Sequence, residues 1–338
     1  MDCLHKYGVW IAEILQLRTK SLEPLWLFIT EAGGPKAAFF IVFPCTYFFC
    51  RRTGLAVLWV AALTEWLNLM LKSVLFGERP FWWIPESHIF ANKLPKLEQY
   101  SSTCENGPGS PSGHAMVTAA VWYVVASSLH SYLYRRNCSI PWTYAPYVLY
   151  GTLLAVVCIS RVFVLAHFPH QVFTGSIAGL LLGIYLLRRV PERRPLQFFM
   201  ALTSSLMIGT LALNAALRTM GVDLSWSMAL AKKWCKHSEW VRPDVATLTS
   251  LSRDCGALLG MGLAQHWKPG GWQLARGPQA LSLVLSYIAL YFVCSAPLPL
   301  RSPVLYYTLF SVKFTLVPLI VVMVPGLVHL MMRKIKRN

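Results

Sequence analysis

Two histidines, two arginines and a lysine lie in three short segments that flank long apolar runs. The segments are KSVLFGERP with Lys72 and Arg79, PSGH ending at His114, and SRVFVLAHFPHQ with Arg161 and His167. Three cations can hold the oxygens of a phosphoryl group, and the two guanidiniums suit bidentate contacts. Imidazole titrates near neutral pH, so one histidine can act as nucleophile and the other as proton donor. These residue types therefore predict phosphoryl transfer.

Neighbouring residues extend the predicted site. Ser112 and Gly113 open a predicted helix, whose first N–H groups and dipole favour a bound anion, and the glycine allows close approach of the backbone. Ser160 and Gln171 are predicted to support the site. Gln171 follows His167 by four residues, and on a helix the two would share a face. Its amide oxygen is therefore predicted to accept the Nδ1 proton of His167.

The composition indicates a polytopic membrane protein. Of 338 residues, 55% are hydrophobic and 13% are charged, and the mean hydropathy is +0.48. A bilayer core needs about 20 mostly apolar residues per helix. About nine runs meet this length, which predicts an all-α bundle of about nine transmembrane helices: 25–50, 54–76, 114–134, 142–164, 171–187, 196–217, 247–265, 279–296 and 305–332.

Two of these runs carry charged residues, and the chain begins with a more polar segment. The first run contains Glu31 and Lys36, and the seventh contains Arg253 and Asp254. Such residues are costly at the bilayer centre unless they face a cavity or each other. Residues 1–24 are predicted to include a short interfacial helix rather than a cleavable signal peptide.

The formal net charge of +17 is distributed at the ends of the predicted spans. Basic pairs begin at Arg51, Arg135 and Arg188, and by the positive-inside rule they mark cytosolic ends. This topology predicts a non-cytosolic N-terminus, a cytosolic C-terminus, and the three polar segments together on the non-cytosolic face. Without a basic stripe that has interleaved aromatic residues, nucleic acid is not an expected partner.

Each residue of the predicted site also has an ordinary structural interpretation when taken alone. Lys72 would be a snorkelling anchor, and Arg79 a loop cation or a contact to a lipid phosphate. His114 would cap a helix, and His167 would be an interfacial histidine. His170 is predicted to be structural or to lie at the rim. The occurrence of all three segments on one face favours a catalytic site.

The order Lys-x6-Arg-Pro, Pro-Ser-Gly-His and Ser-Arg-x5-His resembles the three-part signature of the phosphatidic acid phosphatase type 2 superfamily. Within it, LFGERPFWW, CENGPGSPSGHAM, SRVFVLAHFPHQV and GVDLSW resemble the glucose-6-phosphatase catalytic subunit family, and the similarity covers nearly the whole chain. IAEILQ, LTEWLNL and SLSRDCGALLGMGLAQH are most similar to the ubiquitous beta isoform of that family.

The resemblance implies an endoplasmic reticulum phosphatase of glucose metabolism with a lumenal site. It implies hydrolysis of glucose 6-phosphate, and of 1,5-anhydroglucitol 6-phosphate, through a phosphohistidine. His167 would be the nucleophile, and His114 would protonate the leaving sugar oxygen and then activate water. Lys72, Arg79 and Arg161 would hold the phosphoryl oxygens. A glucose-6-phosphate transporter is the implied partner beside membrane lipid, and no cofactor or metal is expected.

The chain is expected to form one membrane domain, 1–338, with the catalytic core helices in 54–187. A lipid phosphate phosphatase of the same superfamily, or an anion transporter, remains as the alternative function. Lys334 and Lys336 match a dilysine retrieval signal or an ordinary basic flank.

Two further features of the non-cytosolic loops leave alternatives open. One ring of Phe81, Trp82 and Trp83 would wall the sugar, or the three would form an interfacial aromatic belt. Cys104 and Cys235 lie on the same face, and a bridge between them stays an open question.

Overall fold

The computed structural model describes residues 1–90, 94–241, 247–268, 272–298 and 302–335. Its regular elements in these ranges are helices, in agreement with the predicted all-α class. Lys336 of the candidate retrieval signal lies outside the described residues. The helices are α1 Asp2–Arg18, α2 Glu23–Ala32, α3 Pro35–Ala37, α4 Phe43–Phe49, α5 Arg51–Leu75, α6 Pro80–Glu86, α7 Gly113–Arg135, α8 Ile140–Phe163, α9 Pro169–Leu187, α10 Leu196–Thr219, α11 Trp226–Trp234, α12 Thr247–Trp267, α13 Arg276–Ser295 and α14 Pro303–Ile335.

The number of membrane-spanning helices is lower than predicted. Within the described ranges, 7 helices are long and apolar enough to cross a membrane, or up to 8 if one bent pair counts as a single span. The predicted count of nine is therefore not confirmed. The helix that falls short is α12, which covers the run 247–265 and carries Arg253 and Asp254.

The bent pair corresponds to the first predicted run, 25–50. Its two arms, Lys20–Ala32 and Pro35–Phe49, meet at an angle of 57°. The break falls at Gly33 and Gly34, directly before Pro35, where a proline at the first helical position starts a new helix. A Cβ on Gly33 would lie 2.9 Å from the side chain of Val157, so a glycine is needed for α2 to pack on α8 at this point.

Small residues bring α7 and α9 into close contact. Gly175, Gly179 and Gly183 recur every four residues and therefore share one face of α9. A Cβ on Gly175 would lie 2.7 Å from the carbonyl oxygen of Ser112, and one on Gly183 would lie 2.8 Å from that of Ala120. Backbone contact of this kind is typical of helices packed in membranes. It places the beginnings of α7 and α9 side by side.

Three shorter helices, α1, α6 and α11, form a capping layer over the end of the bundle where α7 and α9 begin. They share one hydrophobic cluster with the loop between α8 and α9. A disulfide between Cys104 and Cys235 joins the loop before α7 to the segment after α11. This bridge answers the question that the sequence left open.

Candidate active site

A cavity of about 260 Å³ lies where α5 and α8 end and α7 begins. The three predicted segments contribute six lining residues: Lys72, Ser73, Arg79, Gly113, His114 and Arg161. Lys72 lies in the last turn of α5, Arg161 lies in the last turn of α8, and His114 is the second residue of α7. The elements predicted to carry the site therefore converge on one space.

His167 lies in the loop between α8 and α9 and is almost completely buried. Its Nδ1 is 2.8 Å from the carbonyl oxygen of Gly109. A carbonyl can only accept a hydrogen bond, so Nδ1 carries the proton and Nε2 presents its lone pair. Nε2 is buried without a hydrogen-bond partner among the described atoms. Burial, and then the neighbouring Arg79, lower the pKa of His167 well below its ordinary value, which keeps the imidazole neutral.

The predicted hydrogen bond from His167 to Gln171 is wrong. The Gln171 amide oxygen instead accepts from the N–H of Phe168 at 3.0 Å, and its nitrogen donates to the carbonyl of Glu78 at 2.6 Å. The physical reason is that α9 begins only at Pro169, so His167 precedes the helix and the i, i+4 relation does not apply. Gln171 is the third residue of α9 and caps its N-terminus.

Ser112 and Ser160 do not line the cavity, and their hydrogen bonds are made within the protein. The N–H of Ser112 donates to the carbonyl of Gln171 at 3.1 Å, and its side chain is the N-cap of α7. The Ser160 hydroxyl donates to Val157 within α8 at 2.7 Å. Among the described residues that line the cavity, Gly113 is present and neither serine is. A Cβ on Gly113 would lie 3.0 Å from Asn68 Oδ1, so this glycine admits the close approach of α7 to α5.

Arg79 is fully buried and held by the protein itself. Its Nε donates to the carbonyl of Gly107 at 2.6 Å, and its two terminal nitrogens donate to Ala166 at 2.9 Å and to Pro108 at 3.2 Å. These bonds fix the loop that carries Gly109 against the loop that carries His167. Arg79 therefore positions both loops in addition to lining the cavity.

A carboxylate that the sequence analysis did not single out lies at the centre of the site. Glu105 Oε2 is 2.9 Å from Arg79, and Oε1 pairs with Arg161, which also donates to Thr30. Burial alone would raise the pKa of Glu105, but Arg161 and Arg79 outweigh it and hold the pKa well below its ordinary value. The carboxylate is therefore ionised. No spacing rule connects Glu105 to the three segments, so the sequence offered no signal for it.

Glu105 also separates the two histidines. His114 Nδ1 is 3.8 Å from Oε1, and His167 Nε2 is 3.8 Å from Oε2. Glu105 and His114 line the cavity, and His167 lies behind its wall with Nε2 within 3.8 Å of the carboxylate. An anion that replaces this carboxylate would have a nucleophile on one side, a proton donor on the other, and guanidiniums around its oxygens. That arrangement matches the needs of in-line phosphoryl transfer.

The other walls of the cavity come from elements outside the three segments. The bent span contributes Glu31, Gly34 and Lys36, and the side nearest the capping layer contributes Trp240. The end of the cavity towards the middle of the bundle is lined by Glu65, Ser250 and Arg253.

Both interpretations of the aromatic cluster at 81–83 are wrong. Phe81, Trp82 and Trp83 are buried in the capping layer, with Trp83 packed against Phe168 at a ring separation of 5.7 Å.

Comparison with known proteins identifies relatives along nearly the whole chain. Glucose-6-phosphatase 3 of Homo sapiens is 43% identical over 328 residues, which cover 96% of this chain and 94% of the relative. Glucose-6-phosphatase catalytic subunit 1 of Haplochromis nubilus is 41% identical over 273 residues, 79% of this chain and 77% of the relative. Glucose-6-phosphatase 2 of Homo sapiens is 34% identical over 355 residues, 99% of this chain and 98% of the relative.

The profile of the PAP2 superfamily matches residues 53–195, which contain Lys72, Arg79, His114, Arg161 and His167. No solved structure gives a significant match. With relatives of this identity and coverage, and with the superfamily match over the segments that form the cavity, the chain belongs to the glucose-6-phosphatase family of the PAP2 superfamily.

Proposed function

We propose that this chain, a phosphoric monoester hydrolase by its family, hydrolyses glucose 6-phosphate to glucose and inorganic phosphate through a phosphohistidine. We also propose 1,5-anhydroglucitol 6-phosphate as a substrate. One observation carries the proposal. The unprotonated Nε2 of His167 and the ring of His114 flank a single anion-sized position, which Glu105 holds between Arg79 and Arg161.

In the first step, the substrate phosphoryl group displaces Glu105 from the two guanidiniums, and Lys72 adds a third cation. His167 Nε2 attacks phosphorus, and the bond from phosphorus to the sugar oxygen breaks. His114 gives its proton to that oxygen, so the sugar leaves as a neutral alcohol. The Gly109 carbonyl supports this step because it holds the Nδ1 proton while positive charge develops on the imidazole.

In the second step, water attacks phosphorus and the bond to Nε2 breaks. His114, now unprotonated, accepts a proton from the water, and inorganic phosphate is released. The two histidines end in their starting states.

We further propose an endoplasmic reticulum location in which the N-terminus and the cavity are lumenal and the C-terminus is cytosolic. The Cys104–Cys235 disulfide suits an oxidising compartment, and the basic pairs lie at the opposite ends of the helices. Delivery by a glucose-6-phosphate transporter belongs to the same proposal. The proposed organisation is one membrane domain, 1–338, whose catalytic core lies in 54–187.

The test is to trap the intermediate. Purified protein is mixed with glucose 6-phosphate labelled at phosphorus, quenched rapidly, and examined for acid-labile, base-stable label on histidine. Wild type should trap label, His167→Ala none, and His114→Ala label that turns over slowly. His130→Ala is the matched control, because His130 lies near the other end of α7 and binds the Thr143 carbonyl. Trapping by His167→Ala at the wild-type level would refute the assignment of the nucleophile.

A further inference from the structure

The cavity continues from the phosphate end towards the middle of the bundle along one face of α5. Lys72 and Glu65 both line it and are separated by seven residues, which is nearly two helical turns and about 10.5 Å along the axis. The same cavity therefore offers space for the ester group of a phosphate held beside Lys72 along α5 towards Glu65. The distance leaves room for one sugar ring.

An ion pair closes this far end. Arg253 Nε donates to Glu65 Oε2 at 3.0 Å, and a terminal nitrogen of Arg253 donates both to Glu65 Oε1 and to the Ser250 hydroxyl, the latter at 3.0 Å. Arg253 is also enclosed by Phe39 and Phe314, whose ring centroids lie 5.8 Å and 5.9 Å from the guanidinium carbon. The pair is thus held firmly in place.

Stability alone does not account for a charged pair at this position. Removing two charges from water costs several kcal/mol per ion, and apolar side chains of similar volume are often equally stable. Ionisable residues at this depth in a membrane bundle usually serve a substrate or ion pathway. Glu65 and Arg253 belong to the wall of the same cavity as the three phosphate-binding cations and His114.

The chemistry of these side chains suits hydroxyl groups. A carboxylate accepts about four hydrogen bonds, of which Arg253 provides two, and a serine hydroxyl both donates and accepts. An acyl chain placed here would offer no hydrogen bond to the remaining acceptor positions of Glu65 and would remove them from water, which is unfavourable. The far end of the cavity therefore favours a polyhydroxylated ester over a lipid phosphate.

We propose that Glu65, Ser250 and Arg253 form a subsite that binds the hydroxyl groups of the substrate's sugar ring. This proposal rests on the proposed sugar phosphatase function. Ser250 and Arg253 belong to α12, outside the PAP2 match at 53–195. Selection of the sugar is therefore shared between Glu65, within the superfamily match, and α12, outside it, whereas the phosphoryl chemistry belongs to residues within that match.

The experiment compares two phosphate esters, glucose 6-phosphate and phenyl phosphate, which lacks sugar hydroxyls. The measured quantity is the ratio of kcat/KM for the first ester to kcat/KM for the second. Loss of a hydrogen bond to a charged group predicts a fall in this ratio of about ten- to a hundredfold for Glu65→Gln, and loss of a neutral one predicts about three- to tenfold for Ser250→Ala.

Ser252→Ala is the matched control. Ser252 lies on α12 two residues from Ser250, and its hydroxyl donates to the carbonyl of Leu248 within the helix at 2.8 Å. The ratio should remain at the wild-type value in this variant. Because Ser250→Ala leaves the Glu65–Arg253 pair in place, it tests the subsite even if Glu65→Gln fails to fold.

Deoxy analogues of glucose 6-phosphate identify the contact itself. The analogue that lacks the hydroxyl bound by Glu65 should be a poorer substrate for wild type, and Glu65→Gln should lower its kcat/KM no further, as a double-mutant cycle requires. Ratios at the wild-type value in both Glu65→Gln and Ser250→Ala would overturn the subsite. If wild type hydrolyses neither ester, the proposed function fails. If wild type hydrolyses both esters but the two variants keep the wild-type ratio of kcat/KM, only the subsite fails.

Discussion

At the scale of single residues, the chemistry of His167 depends on one backbone carbonyl. The oxygen of Gly109 accepts the Nδ1 proton and so leaves Nε2 unprotonated towards the cavity. Gly109 can approach this closely because it has no side chain. A Cβ there would lie 2.4 Å from the carbonyl oxygen of Glu78 and within 3.0 Å of the Gln171 amide.

We predict that Gly109→Ala lowers kcat by about tenfold or more, since a displaced carbonyl would release the imidazole from its tautomer and orientation. KM should change less, because the cations that bind phosphate stay in place. The measurement is steady-state hydrolysis of glucose 6-phosphate.

Gly107→Ala is the control for this prediction, because a Cβ on Gly107 meets no atom within 4 Å. It lies in the same loop and should retain most of the activity. Equal losses in the two variants would show that the loop tolerates no substitution, and would contradict a specific role for the Gly109 carbonyl.

The cations and histidines of the site could be predicted from the sequence because the type of each side chain determines the chemistry that it can perform. It did not allow Glu105 or Gly109 to be predicted, since neither lies at a regular spacing from the other site residues. Their positions follow from how the loop before α7 folds over Arg79. The prediction for Gln171 failed for a related reason. Helical periodicity shows which residues of a helix share a face, but it does not show where the helix begins, and α9 begins after His167.

At the scale of elements, the nucleophile loop is supported from outside the bundle by α1. His5 stacks on Phe168 with ring centroids 4.2 Å apart, and a Cβ on Gly8 would lie 2.8 Å from the Phe168 ring. Burial, and then the nearby His170, lower the pKa of His5 to about 4, so it stacks as a neutral ring at neutral pH. The N-terminal helix predicted as interfacial is therefore part of the site's framework.

We predict that Gly8→Val lowers kcat by about three- to tenfold and also lowers the melting temperature, because the larger side chain pushes α1 away from Phe168. Activity and thermal unfolding in detergent would be measured together. The exposed neighbour Tyr7 provides the control, and Tyr7→Ala should change neither quantity appreciably. Unchanged activity in Gly8→Val would show that α1 does not position the nucleophile loop.

Apolar runs predicted most helices of the bundle well, because a span is determined by local composition. Eight of the predicted runs each coincide with one helix and the first coincides with the bent pair, yet the charged residues of α12 keep it below the hydropathy of the other spans. Arg253 is tolerated because it pairs with the Glu65 carboxylate and lines the cavity, and Asp254 lies 3.7 Å from the Nε of Arg253. The contacts that offset the cost of burying these charges form only in the folded bundle, so a hydropathy profile cannot show them.

At the scale of the whole molecule, the Glu65–Arg253 pair joins the PAP2 region to the C-terminal helices. We predict that Arg253→Met destabilises the protein by about 3–5 kcal/mol, because it leaves Glu65 buried without its cation. Adding Glu65→Leu should restore most of the melting temperature, since the second change removes the uncompensated charge. If the variant that carries both Arg253→Met and Glu65→Leu melts at the same temperature as Arg253→Met alone, the unpaired Glu65 carboxylate is not the cause of the destabilisation.

The bend between α2 and α3 has a consequence for the supply of solvent. The break at Gly33 and Gly34 interrupts the apolar span, and the N–H groups of the two glycines are satisfied within the bend by the carbonyls of Ile29 and Glu31. Gly34 and Lys36 lie in the cavity wall beside it. Hydrolysis consumes one water molecule per turnover, and we expect the polar side chains of Glu31 and Lys36 on the bent span to hydrate the wall along which this co-substrate reaches the site.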